Sequence, residues 1–547
     1  MSQLEYTRSD TMLNLILKDQ TLQVEKRISV QHLAQMHQVN DVVGCILNGK
    51  VHDLNYQLKQ SGTFQWILKD SAIGKMMQER TLFFLLIAAV RHLFNTDVCV
   101  RHTFASGLYV TLNDRDCVSD DVVQSIKEKM NEMIQNDVSI ERHVVLKEEA
   151  AAHFEELNRF DLAKLLSQRT SATSSIYTCE NVDDYFYGVM YTHAGMVDEF
   201  TLLPYQKGLW ISFQKELIDQ PKLFQVFERF EQRGQQVGIT NIAELNEAVQ
   251  QGRLKELIEI NEKRVNDDLD AIVSKIHQNK SCKVVLIAGP SSAGKTTTSL
   301  RIAEKLTELG HHPVTLAMDD FFKNRIDSPR LPDGSYDYEN IECVDLTLFN
   351  NSLKALLNNE AVKIPVYEFA KGEKIWPNPP VSLHDEDILI IEGIHALNPR
   401  SSELIENNQK VRIYINALTH LNYDEHNRIP TSDYRLIRRM MRDVQFRGRS
   451  ICTTIEGWSK VKDGEDMYIY PYQEEADVIL NTSMDYELAV LKARLMPLLD
   501  AVDVNDPQYI EVNRIRKLLA YVIAGDPELV PAYSILKEFL GGSLYTE

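Results

Sequence analysis

Gly289-Pro290-Ser291-Ser292-Ala293-Gly294-Lys295-Thr296 carries the glycine spacing, the lysine and the hydroxyl that phosphate chemistry needs, a full G-x-x-x-x-G-K-[ST] match. Glycines let backbone N–H groups converge on phosphate oxygens, Lys295 reaches the outer phosphates and Thr296 offers a hydroxyl to Mg²⁺. A triphosphate such as ATP is therefore expected on Gly289, Ser291, Ser292, Ala293, Gly294, Lys295, Thr296 and Thr297. Further along, Met318-Asp319-Asp320 and Ile391-Glu392-Gly393 end two apolar runs in acids. Transfer of phosphate to a hydroxyl needs one carboxylate to take the proton, read as Asp319, and one to hold the metal's shell opposite Thr296, read as Glu392. His395 follows closely enough to line an acceptor pocket. Between Asp433 and Arg449, six arginines face two aspartates, a local charge of +4. Helical spacing brings Arg435, Arg438, Arg439 and Arg442 onto neighbouring faces, as expected of a lid that neutralises transferring phosphate.

These residues need elements to hold them. The runs Lys283–Ala288, Val314–Met318, Asp387–Ile391, Val411–Ile415 and Asp477–Leu480 are continuously apolar and alternate with helical stretches. That pattern predicts a parallel α/β sheet covered on both faces, with ligands beyond the carboxyl ends of its strands. From about Ala243 to Ile276 apolar residues recur at spacings of three and four, which predicts a helical connector between two dissimilar halves.

At 547 residues the chain is long enough for several domains. Its net charge of −20 argues against duplex nucleic acid gripped over a broad face and leaves any such partner to a local patch in the N-terminal half. The longest apolar run, Leu82–Val90, has nine residues, short of the roughly 20 a membrane span requires. Met1–Tyr6 carries no secretory pattern, and the seven cysteines lie far apart with no C-x-x-C spacing, so a cytoplasmic protein with reduced thiols is expected.

The P-loop, Asp319-x-Phe321-Phe322, Ile364-Pro-Val-Tyr-Glu-Phe369, Glu392-Gly-Ile394 and Arg438-Arg-Met-Met-Arg-Asp443-x-x-x-Arg447-Gly-Arg449 together resemble the uridine kinase and phosphoribulokinase family. The resemblance implies a Mg²⁺- and ATP-dependent kinase whose small-molecule acceptor is a nucleoside, uridine or cytidine, with Asp319 as base for its 5′-hydroxyl. It further implies Glu339 or Asp337 on the ribose hydroxyls and Tyr367 and Phe369 at the base. Arg439 is expected on the substrate side, Arg442 and Arg447 in catalysis, and Arg442 and Arg449 on the nucleotide. The histidine that pyrimidine kinases usually carry after that tyrosine is absent from Ala370-Lys-Gly-Glu-Lys374. Another small alcohol, such as a sugar phosphate or pantothenate-like acceptor, and an ATP-switched RNA-binding regulator are the competing readings.

Residues 1–70, with Val42–Val51, resemble the TGS module of threonyl-tRNA synthetase, and residues 71–240 resemble its editing domain. At the positions matching the editing site stand Arg80, Phe84, Phe186 and Met190, which cannot do the chemistry of imidazole and thiol. The expected organisation is thus 1–70, 71–240, a connector over 241–280, and a P-loop kinase domain over 281–547. A homo-oligomer is also expected. No role follows for Thr453–Gln473 or for the C-terminal extension.

Overall fold

The computed structural model describes residues 12–18, 20–384 and 386–545, so the Met1–Tyr6 reading lies outside the described residues. In the C-terminal half five strands form one parallel sheet, in the order His312–Ala317, Asp387–Glu392, Val284–Ala288, Lys410–Asn416 and Val478–Asn481. The central strand Val284–Ala288 is buried along its whole length, as continuous apolar runs require when helices cover both faces. This is the sheet of a P-loop kinase fold. The helix Lys295–Glu308 leaves the end of the central strand, and Leu254–Gln278 packs Leu257, Val265, Leu269 and Ile272 into the core shared with that sheet. A second helix, Ile242–Gln250, precedes Leu254–Gln278, and the turn between them uses Gly252 at φ +74°.

The N-terminal half starts with a five-stranded mixed sheet in the order Thr21–Glu25, Met12–Ile16, Gly62–Leu68, Val42–Leu47, Lys50–Asp53. The helix Ala72–Phe94 follows, and after it come a four-stranded sheet and a three-stranded sheet. Leu82–Val90 forms the middle of that helix and is buried on every side, which is why it is apolar all round. Among the described residues no helix is long and apolar enough to cross a membrane. Phe84 and Phe186 pack with ring centroids 5.4 Å apart, Met190 is buried beside them, and Arg80 donates to the carbonyl of Val189 at 2.8 Å.

The loop after Lys410–Asn416 joins the halves. Asn422 and Glu425 exchange hydrogen bonds with the backbone of Val100. Arg159 pairs with Asp184 at 3.3 Å and Asp424 at 3.2 Å, while His426 meets Asp184 at 2.6 Å and Asp97 at 2.8 Å. Burial and Arg159 would push the His426 imidazole down, but Asp184 and Asp97 overcome both and raise it to about 9.

Candidate active site

The phosphate loop is held open from its outer side. The carbonyl of Ser291 accepts from Arg435 at 3.2 Å, that of Ser292 lies 3.5 Å from Arg438, and that of Ala293 accepts from Thr482 at 2.6 Å. With three successive carbonyls tied outward, the peptide N–H groups of Ser292 at φ +60° and Gly294 at φ +89° are left to form an anion-binding nest. Gly289 is equally constrained, since a Cβ there would lie 2.1 Å from the carbonyl oxygen of Ile415. Beside it, the N–H of Ser291 donates to a Glu465 carboxylate oxygen at 3.0 Å.

Around this loop the structure brings together most of the residues singled out above. Thr296 Oγ1 donates to Glu392 Oε1 at 3.1 Å, a hydroxyl–carboxylate pair of the kind hard divalent cations favour. Lys295 Nζ lies folded on its own loop, donating to the carbonyls of Gly289 at 3.0 Å and Pro290 at 3.3 Å. Asp319, in the short helical turn Met318–Phe321, acts electrostatically on both Glu392 and Glu339. Burial above all, with Asp319 adding to it against the pull of Lys295, raises Glu392 to about 7. Burial, then Glu465, raises Glu339 to about 7 as well, against Arg439 and Lys295. One carboxylate oxygen of Glu339 is sealed from water and has no hydrogen-bond partner among the described residues, and the His395 imidazole is buried beside the backbone of Glu339 and Asn340. Burial pushes the His395 imidazole down to about 4, so it stands neutral.

Of the two acids left open by sequence, Glu339 faces Arg439, Lys295 and Asp319, whereas Asp337 accepts from Asn340 at 3.2 Å and turns toward Tyr468. Tyr367 is buried edge-on to Phe322 with centroids 5.7 Å apart, and Phe369 is 59% exposed. Arg439 donates to Ser291 Oγ at 2.7 Å. Arg442 has its Nε buried 3.7 Å from Asp443 Oδ1, and burial followed by the neighbouring Arg447 lowers it to about 10. Arg447 is half-exposed, 3.8 Å from Asp443. Arg449 is exposed, and its backbone N–H donates to the carbonyl of Asp443.

One expectation is corrected. The arginine helix Thr431–Phe446 is not a swinging lid over its first three turns, because Tyr434, Leu436, Ile437, Met440 and Met441 anchor it in the core. Arg435 and Arg438 are buried struts, paired bidentately with Glu465 at 2.5 and 2.6 Å and with Glu487 at 2.5 and 3.2 Å.

Two residues of the site carried no motif. Glu465 comes from the helix Trp458–Tyr468, inside the stretch to which no role was given. Its neighbour Gly464 is the available signal, a costly residue inside a helix, needed because a Cβ would lie 2.2 Å from Glu339 Cβ. Glu538 comes from the C-terminal extension and accepts from Thr297 Oγ1 at 2.9 Å. Ile535 of the same segment covers Gly294, and Phe539 lies under Arg438 at 5.2 Å. Ile535, Leu536, Phe539 and Leu540 are all buried. At ~1.5–3 kcal/mol for each buried apolar side chain, withdrawing the four costs on the order of 6–12 kcal/mol, so this segment is a fixed wall of the site.

Residues 284–489 match the model of the phosphoribulokinase / uridine kinase family. The chain is 27% identical to a uridine kinase of Leuconostoc citreum over 198 residues, covering 36% of this chain and 86% of that protein. It is 28% identical to a uridine kinase of Staphylococcus aureus over 212 residues, covering 39% of this chain and 93% of that one. A structure of D-glycerate 3-kinase from Cryptococcus neoformans aligns with a TM-score of 0.28 at 14% identity, over 38% of this chain and 89% of that one.

Proposed function

We propose that this chain, a phosphotransferase whose residues 284–489 form a phosphoribulokinase / uridine kinase family domain, transfers the γ-phosphate of ATP to the 5′-hydroxyl of a nucleoside, uridine or cytidine. The observation that carries this reading is the Thr296–Glu392 bond at the phosphate loop, with Asp319 close enough to act on both Glu392 and Glu339. The loop N–H groups would hold the triphosphate, and Thr296 with Glu392 would hold Mg²⁺, which when bound neutralises charge on the phosphates. Lys295 leaves its loop carbonyls for the outer phosphate oxygens. Asp319 accepts the proton of the attacking hydroxyl, and Glu339 accepts from the ribose hydroxyls. Arg439, Arg442 and Arg447 balance the charge of the transferring group.

Two acids, Asp319 and Glu339, act on each other on the acceptor side, which supports an uncharged acceptor over a sugar phosphate. The paired rings of Phe84 and Phe186 support residues 71–240 as an editing-like domain without editing chemistry. The test is incubation with Mg-ATP and a panel of nucleosides, pantothenate and sugar phosphates, with the phosphorylated product identified by mass. A phosphorylated pyrimidine nucleoside is expected. Product from none of the nucleosides would overturn the assignment.

A further inference from the structure

Thr296 turns to Glu392, but Thr297, the next residue, meets Glu538 of the C-terminal segment, which also lies near enough to Glu392 to raise it. This segment lies beyond the residues that match the family model. In a P-loop the lysine reaches the outer phosphates while the N–H groups at the helix start hold the inner ones. A triphosphate laid on this loop therefore has its outer end toward Lys295, Asp319 and Glu339, and its inner end toward Thr297. The group attached to the inner phosphate is the ribose of the donor nucleotide. The side chain waiting there is the Glu538 carboxylate, fixed by a buried segment, with Arg442 close by.

A carboxylate accepts hydrogen bonds and donates none, and it is repelled by phosphate. What it suits at this position is a pair of hydroxyl donors. Arg442 stands close enough to balance its charge, and the Thr297 hydroxyl holds its orientation. Resting on the ATP-dependent reading above, we infer that Glu538 binds the 2′- and 3′-hydroxyls of the donor ribose and makes the enzyme selective for ribonucleotides over deoxyribonucleotides. The nucleotide site is then completed from outside the family domain, by a residue of the C-terminal extension.

The test is calorimetric titration of the full chain with ATP, 2′-deoxy-ATP and 3′-deoxy-ATP in Mg²⁺, without acceptor. Wild type is expected to bind ATP roughly tenfold more tightly than either deoxy form, the worth of a charge-assisted hydrogen bond. Glu538→Ala should bind all three alike, at the deoxy level, and Glu538→Gln, which keeps the side chain's shape, should narrow the preference. Melting temperatures of both variants within a few degrees of wild type would exclude a folding defect, and Glu538→Gln decides the matter if the alanine variant is unstable. Equal binding of all three nucleotides by wild type would overturn the inference while leaving ATP-dependent phosphotransfer standing. Tighter ATP binding by Glu538→Ala than by wild type would also overturn it, marking the carboxylate as a competitor of phosphate. Failure of every nucleotide to bind would sink both readings.

Discussion

Two clusters of buried charge sit in this chain, one at the phosphate loop and one where the halves meet, and they are built on opposite terms. At the junction, Arg159, Asp97, Asp184, Asp424 and His426 lie within 3.3 Å of opposite charges and the His426 cation is favoured there, although burial still raises Asp424 to about 6. At the loop, one carboxylate oxygen of Glu339 has no hydrogen-bond partner among the described residues, and the carboxyls of Glu339 and Glu392 are pushed up to about 7. Burial is common to both, so burial alone does not mark a functional site. What differs is whether the protein itself completes the pairing. Charges completed internally hold the halves together, while charges left incomplete wait for a ligand to complete them.

The contrast makes predictions that run from large to small. Asp319→Asn is expected to lower kcat by ~10²–10⁴-fold with ATP affinity largely kept, measured by steady-state rates and nucleotide titration. Near wild-type turnover would remove Asp319 from its role as base. Asp184→Asn should do the reverse, costing ~3–5 kcal/mol in urea unfolding by leaving Arg159 and His426 short of a counter-charge, with kcat of the folded enzyme unchanged.

The two clusters should also part in their pH dependence. Glu339 has its ordinary value near 4.5 and is raised to about 7 in the folded chain. Over that window the unfolded chain is ionised while the native one keeps its proton, so stability falls as pH climbs and is flat above. Glu339→Gln should therefore exceed wild type in stability at pH 8, by up to ~3 kcal/mol, with the gap closing toward pH 4.5. His426 is raised from 6.5 to about 9, so its contribution is complete below pH 6.5 and lost as pH rises to 9. A urea midpoint that falls between those values in wild type, and less in His426→Gln, would identify the junction as the source. The smallest effect is expected for Arg449→Ala. An exposed arginine with no side-chain partner on the loop among the described residues is worth about 0.5 kcal/mol or less, about a twofold change in KM for ATP. A tenfold change would show that Arg449 folds onto the nucleotide when it binds.

The kinase half was the more legible of the two. Continuous apolar runs separated by helical periodicity gave the strands of the parallel sheet to within one or two residues, because a strand covered on both faces can carry almost nothing else. Lys295, Thr296, Asp319 and Glu392 lie together for a related reason: they follow the carboxyl ends of neighbouring strands, so position along the chain places them at one edge of the sheet. Arg435 and Arg438 were misread because charge composition does not say which face of a helix is buried. Both became struts, since the turns that carry them also carry Tyr434, Leu436 and Ile437 into the core.

From sequence alone came the phosphate loop, the order of the sheet-bearing runs and the acids at their ends, all local patterns in which residue type and spacing carry the constraint. Tertiary structure alone decided which charges are paired. It chose Glu339 over Asp337 to face the loop, set Glu465 on the N–H of Ser291, and brought Glu538 to Thr297 across 241 residues of chain. Pairing of charges depends on distance and on exclusion of water, and neither is written in any stretch of sequence short enough to read as a motif.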